Sequence, residues 1–303
     1  MFSSREFIEI CARNFGEGYK PFEIPVHGSG PDRSFWALQN PEPFGLRSFS
    51  LAPGGLHASP GWVGRLTRAT LAGIVDRMKG AGSRKFGWKV LFEQRELSEG
   101  LEELGLEAST ESTHVLHLTA GYERVFSGYS ASIRNQVRKA HARGVTVRQA
   151  LDEQTVRAYY AVHTELADQK GSYEHIHPLS LFVDLVHLPF CRLLVAEVEG
   201  RVVAGALFFE EKSCVVYWHG ATARSASSFF PIRAVMDDGV RRACEMGAGS
   251  LNFGGSAGIE SLAKFKESWG AIVESNRVFG WRNPLWESLT RVKRRFSRRE
   301  AAG

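Results

Sequence analysis

Apolar and polar positions follow two periods along the chain, and the second half is the easier to segment. Cys191 to Val198 and Arg201 to Glu210 read as strands joined by the turn Glu199-Gly200, and a third strand is predicted over Ser213 to Thr222. An irregular polar stretch, Ala223 to Phe230, comes next. Pro231 then stands at a helix-start position, and Ile232, Val235, Met236, Val240 and Cys244 share one helical face up to Gly247. Strand Ser250 to Phe253, a glycine turn from Gly254 to Gly258, helix Ile259 to Trp269 and strand Ala271 to Phe279 complete the series.

The first half reads in the same order. Strands Ser34 to Leu38 and Leu46 to Leu51 precede a Pro53-Gly54-Gly55 loop, and Trp62 to Met78 forms an amphipathic helix with Leu66, Ile74 and Met78 inward. Strand Phe86 to Phe92, helix Arg95 to Leu104 and strand Thr113 to Leu118 follow. This order of elements predicts a layered α/β (α+β) fold with a duplicated unit; a single irregular α/β domain is the alternative. Helical segments at Tyr122 to Arg143 and Glu153 to Lys170 lie between the halves, with no Gly/Ser/Pro-rich tether, so tight packing is expected.

Composition narrows the class. With 303 residues, 43% hydrophobic and 23% charged, the chain can bury a sizeable core, and nothing suggests disorder, collagen or a disulfide scaffold. Its four cysteines are scattered singly, as in a reducing compartment. Glu6 and Glu9 interrupt the start of the chain where a signal peptide needs a basic, then apolar, stretch. The apolar run Val202 to Phe209 is far shorter than the roughly 20 residues of a membrane span. The expected location is cytoplasmic, with the inner face of the membrane as a further site. Much of the net charge of +5 sits after Trp286, where Arg291, Lys293, Arg294, Arg295, Arg298 and Arg299 face only Glu287 and Glu300. Leu285, Leu289, Val292 and Phe296 make that tail a basic amphipathic helix, suited to peripheral membrane contact, to docking on the protein's own core or to tRNA.

Three stretches carry a family resemblance. The basic segment from Ser132 through Arg134, Arg138 and Ala140 to Gly144-Val145, the run from Trp218-His219-Gly220-Ala221 to Pro231, and Phe265-Lys266 with Trp269-Gly270 are similar in order and spacing to the FemAB-like branch of the GNAT acyltransferases. The resemblance implies two tandem GNAT-like units, 1–121 and 171–282, a helical connector 122–170 contributing to both halves, and the basic tail 283–303. It also implies amide-forming transfer of an acyl or aminoacyl group to an amine. The acceptor would be a cell-envelope precursor, phosphorylated or lipid-linked, a peptide or an amino sugar. No tightly bound cofactor is expected; the donor, aminoacyl-tRNA or acyl-CoA, is a co-substrate. The pyrophosphate-binding glycines of GNAT enzymes are replaced by Ala223-Arg224-Ser225-Ala226-Ser227-Ser228-Phe229-Phe230, which favours aminoacyl-tRNA over acyl-CoA. The long helical arm of some family members is missing. An acyl-CoA-dependent N-acetyltransferase and a non-catalytic module binding tRNA or a phosphorylated glycan are the alternative functions.

The resemblance places a functional lysine at Lys266, where a cation stabilises developing negative charge; a solvated lysine paired with Glu260 or Glu267 is the bland reading. It also points the backbone near Tyr217 to Gly220 at the reacting carbonyl. His219 is a candidate general base and Tyr217 a candidate acid or donor, each weighed against ordinary strand packing. Arg134, Arg138 and His141 share a helical face suited to phosphates, with Ile133, Val137 and Ala140 turned inward. Phe265, Arg224 and Asn252 complete the substrate-binding candidates. Glu174-His175-Ile176-His177 lacks a third metal-ligand set and reads as a loop, so no metal is expected. Asp237 and Asp238 are adjacent on a helix and cannot point together.

Overall fold

The computed structural model describes residues 4–25, 34–42, 47–50, 67–81, 83–90, 95–170 and 177–285. They fall into two compact units, one within Met1–Thr110 and Asn276–Gly303, the other within Glu111–Ser275.

The first unit opens with α1 (Arg5–Asn14), whose N-terminus is capped by the Ser4 hydroxyl accepting the Phe7 N–H. Its strands are β1 (Lys20–Pro25), β2 (Ser34–Pro41), β3 (Arg47–Ser50) and β4 (Ser83–Val90), with α2 (Arg68–Gly80) and α3 (Arg95–Glu103) between and after them. The chain's last strand, β11 (Ile272–Arg282), lies antiparallel on β4, pairing Phe279 with Trp88 and Gly280 with Gly87. The strand order here is β1-β2-β3-β4-β11, with β3 and β4 parallel. Leu71, Ile74, Val75 and Met78 of α2 pack into one core with Phe49, Phe86, Trp88, Leu101 and Phe279. The helix expected from Trp62 starts at Arg68 because Thr67 turns extended and caps it through the Thr70 N–H. Trp62, Leu66 and the Pro53-Gly54-Gly55 loop lie outside the described residues, as do Leu46, Leu51 and Phe92 at the ends of expected strands.

The second unit contains β5 (Glu107–His117, from Glu111 on), α4 (Tyr122–Gly128), α5 (Ala131–Ala142), β6 (Thr146–Gln149), α6 (Glu153–Lys170) and α7 (Leu179–Leu185). Then come β7 (Cys191–Val198), β8 (Arg201–Phe209), β9 (Cys214–Thr222), α8 (Pro231–Glu245), β10 (Ser250–Asn252) and α9 (Glu260–Glu267). Strand order is β5-β10-β9-β8-β7-β6, and β9 and β10 are parallel. On one face, Ile133, Val137 and Ala140 of α5 and Ala234, Val235 and Val240 of α8 share a core with Leu251, Phe253 and Trp269.

Two boundaries differ from the sequence reading. The connector 122–170 falls within the second unit, where α5 packs on α8 and α6 packs on β8 and β9. It is also broken at Tyr129, which is extended, before Ser130 caps α5 through the Ile133 N–H. The strand expected to close the C-terminal half belongs to the first unit from Asn276 on, because its hydrogen-bond ladder is with β4 and Phe279 is buried in that core. Of the basic tail, residues beyond Leu285 lie outside the described residues; Leu285 itself is exposed. Among the described residues, no helix is long and apolar enough to cross a membrane.

Candidate active site

The site starts where two parallel strands part. Leu251 and Asn252 pair with Val215 and Val216, but β10 stops at Asn252 while β9 continues to Thr222. At the same point β9 bulges: Leu207 faces His219 and Phe208 faces Tyr217, leaving Trp218 as the extra residue. A bulge re-aims side chains. Tyr217 turns toward α8 and packs on Phe208 and Phe253, with ring centroids 5.7 and 6.0 Å away. Trp218 and His219 turn to the opposite face, where Trp218 packs on Phe182, Phe209 and His177, and His219 on Tyr159, His163 and Phe182. The sequence grouped Tyr217 and His219; the strand separates them.

The turn after β10 is held from two sides. Asn252 is fully buried, and its Oδ1 accepts hydrogen bonds from Thr113 Oγ1 at 2.6 Å and the Gly254 N–H at 2.7 Å. Its Nδ2 has no partner among the described residues. Lys266, only 2% exposed on α9, donates to the carbonyl oxygens of Gly254 and Gly255 at 2.9 and 2.7 Å. Lys266 is thus a buried cation clamped on the turn, neither solvated nor paired with Glu260, which bonds Lys264 instead. Burial lowers its pKa to about 8. His114 stands behind it, 3.3 Å from Ser256 Oγ and 3.8 Å from Glu267; burial, then the Lys266 charge, lower its pKa.

Arg233, in the first turn of α8, was not singled out by the sequence. Its guanidinium lies 4.8 Å over the Phe265 ring and 6.0 Å over Trp269, and its Nε donates to Gln136 Oε1 at 2.9 Å. Nη1 is buried and has no hydrogen-bond partner among the described residues. Burial raises the Tyr217 pKa to about 12, and the charge of Arg233 works against that rise. Tyr217, Phe253, Arg233, Phe265 and Lys266 therefore surround the end of β10. The only signal for Arg233 was its place two residues after the helix-start Pro231.

The segment before α8 is a 3-10 helix, Arg224–Phe229. The Arg224 N–H donates to the Glu165 carboxylate at 3.3 Å, Ala226 N–H to the Ala223 carbonyl and Phe230 N–H to the Ser227 carbonyl. Phe230 holds a left-handed conformation (φ 56°) with no glycine to ease it. Arg143 secures this corner, donating to the Ser228 carbonyl and lying over the Phe230 ring. The Arg224 side chain is exposed.

On α5, Ile133, Val137 and Ala140 are buried as the spacing predicts. Arg134 donates to the carbonyls of Ser127 and Tyr129, holding the break between α4 and α5, while exposed Arg138 lies 5.8 Å from the Phe126 ring. Asp237 is buried and accepts from the Tyr122 hydroxyl at 2.9 Å, with Arg241 at 3.6 Å, whereas Asp238 is half-buried. Of the His-x-His stretch, His177 packs against Trp218, and Glu174 to Ile176 lie outside the described residues. Among the described residues no cluster of His, Cys, Asp or Glu is arranged to hold a metal.

Comparison with known proteins agrees with this geometry. Residues 127–267 match the model of the acetyltransferase (GNAT) domain, and the protein is an acyltransferase. Among solved structures it is similar to FemX, with a TM-score of 0.74 and 14% identity over 95% of this chain and 94% of that one. It is also similar to L-PGS from Bacillus licheniformis (TM-score 0.55, 12% identity, 85% of this chain and 83% of that one). A third likeness is the C-terminal domain of a provisionally designated lysylphosphatidylglycerol synthetase from Agrobacterium fabrum (TM-score 0.58, 14% identity, 85% and 84%). At such identities these matches establish the fold, an α/β architecture shared with FemX. No curated protein matches the sequence.

Proposed function

We propose that the protein forms an amide by moving an aminoacyl group from aminoacyl-tRNA to an amine on a cell-envelope precursor. The observation that carries the donor is the 3-10 helix before α8. Pyrophosphate binding at this point of a GNAT unit needs backbone N–H groups facing outward. Here the segment has no glycine, N–H groups are committed within the turn, and the Glu165 carboxylate takes that of Arg224. A carboxylate at that place repels a pyrophosphate. Likeness to FemX and to L-PGS supports aminoacyl transfer and an envelope acceptor, phosphorylated or lipid-linked.

In the reaction a neutral amine attacks the ester carbonyl carbon, the carbonyl oxygen takes up the electron pair, and collapse of the tetrahedral intermediate breaks the C–O bond. The amine's proton leaves with the departing oxygen, so the products are an amide and the free tRNA hydroxyl. Lys266 contributes positive charge through the turn it clamps, stabilising the oxyanion, and Tyr217, protonated at neutral pH, donates to an oxygen. Phe265, with Arg233 over it, offers a flat surface for the terminal base, Asn252 shapes the turn through its Oδ1, and Arg138 and Arg224 are exposed cations for phosphates. Arg134 supports the α4–α5 corner that presents Arg138.

The test is thermal stabilisation of the full chain by charged tRNA and by acetyl-CoA. Stabilisation by charged tRNA, weakened by salt and by Arg138→Ala, is the expected result. Stabilisation by acetyl-CoA alone would show the donor to be acyl-CoA.

A further inference from the structure

Tyr159 of α6 is completely buried, and its hydroxyl lies 2.8 Å from Nδ1 of His219, its only hydrogen-bond partner among the described residues. Gly205 of β8 makes room for the ring: a Cβ there would stand 2.6 Å from Tyr159 Cδ2. Hydroxyl and imidazole can share their protons in two ways. If His219 carried its proton on Nδ1 and donated it, the buried hydroxyl would keep a hydrogen with no acceptor, at a cost of about 1–3 kcal/mol. If the hydroxyl donates, both groups are satisfied and the single imidazole proton must sit on Nε2. The doubly protonated ring is excluded by its surroundings. Burial lowers the pKa of His219 to about 3, with His163, perpendicular at 4.1 Å, and His177 acting in the same direction, and Phe182 packs edge-on 5.6 Å away.

We propose that Tyr159 is a positioning residue that holds His219 as its Nε2–H tautomer, so that, from the face of β9 opposite Tyr217, His219 offers the gap between the parted strands a hydrogen-bond donor and not a proton acceptor. The functional half of this rests on the reading of the parted strands as the transfer site; the tautomer does not. His219 Nε2 makes no hydrogen bond among the described residues and is available to an incoming oxygen. This replaces the general-base role that the sequence suggested, and it agrees with a reaction in which the amine's proton departs with the leaving oxygen.

The decisive measurement is the imidazole nitrogen spectrum of the 15N-histidine-labelled full chain at neutral pH, with His219 assigned by its absence in His219→Gln. A pyridine-type shift at Nδ1 with a pyrrole-type shift at Nε2 is expected; the reverse pattern overturns the proposal. Tyr159→Phe, which removes one oxygen and keeps the ring, should mix the two tautomers and lower kcat by roughly ten- to a hundredfold with KM little changed. An unchanged His219 spectrum in that variant would also overturn it. His219→Gln retains an N–H donor near the Nε2 position and cannot act as a base, so it should keep several-fold more turnover than His219→Ala. Equal loss in both restores a base and defeats the proposal. Equal, full activity in both defeats the placement of His219 at the transfer site, while the turnover seen in the same assay leaves amide formation standing.

Discussion

Lys266 illustrates how burial changes the meaning of a residue. Its ammonium is held by two glycine carbonyls, and its lowered pKa is a statement about stability. For a base whose folded pKa lies below its unfolded value, the unfolded chain binds more protons between the two, so stability rises with pH across that window. Wild type should therefore gain stability over Lys266→Met from pH about 8 toward the ordinary lysine value of 10.5, as measured by urea unfolding at each pH. At neutral pH the Met variant leaves two carbonyls without their donor and should lose about 1–3 kcal/mol. Turnover should fall by more than any loss of affinity; affinity retained with no turnover to lose would mark a binding module. The sequence located Lys266, but its environment comes from Gly254 and Gly255, held in place by Asn252 and β5. Tyr159 and His219 are 60 residues apart, and no local pattern announces their contact.

At the scale of elements, strongly periodic segments were legible. Cys191–Val198 and the start of α8 at Pro231 stand where the pattern puts them, and the neighbouring strands differ by a residue. Segments without a clean period were not. α1 was read only as a chain start unlike a leader, and β1, with prolines second and last in a six-residue strand, gave no strand signal. The bulge at Trp218 was also invisible, because register depends on the partner strand. Two glycines of the sheets should respond oppositely to substitution. Gly87 is an exposed strand residue whose added Cβ meets nothing, so Gly87→Val should stabilise by up to ~1 kcal/mol. Gly205 lies under the Tyr159 ring, so Gly205→Ala should destabilise by about 1–3 kcal/mol. Urea midpoints of the two variants check the difference in sign.

At the scale of the molecule, each unit has its own core, with Trp88 fully buried in one and Trp269 in the other. Charge is distributed differently from apolar residues. The histidines whose pKa burial lowers, His114, His163 and the half-buried His219, all lie in the second unit. Below pH 6.5 the unfolded second unit takes up protons that its folded form resists, so its stability falls as pH falls toward about 3, where His219 begins to titrate. Acid titration followed through variants that retain only Trp88 or only Trp269 should show the second unit failing first. The sequence predicted two α/β units, but it assigned the final strand by proximity along the chain, whereas from Asn276 on that strand belongs to the first unit, with Arg277 to Arg282 paired to β4.

That return of the chain has a consequence during synthesis. Strands β6 to β10, and the part of β5 that pairs with β10, all precede residue 253, whereas the edge of β4 waits for β11, which is complete only at Arg282. On the ribosome β6 to β10 can thus pair with one another and with β5 while β4, beside Phe86 and Trp88, still presents an open edge. The stretch translated first is thus the one completed last, and a nascent chain halted between residues 253 and 272 would carry β5 to β10 paired and the edge of β4 bare.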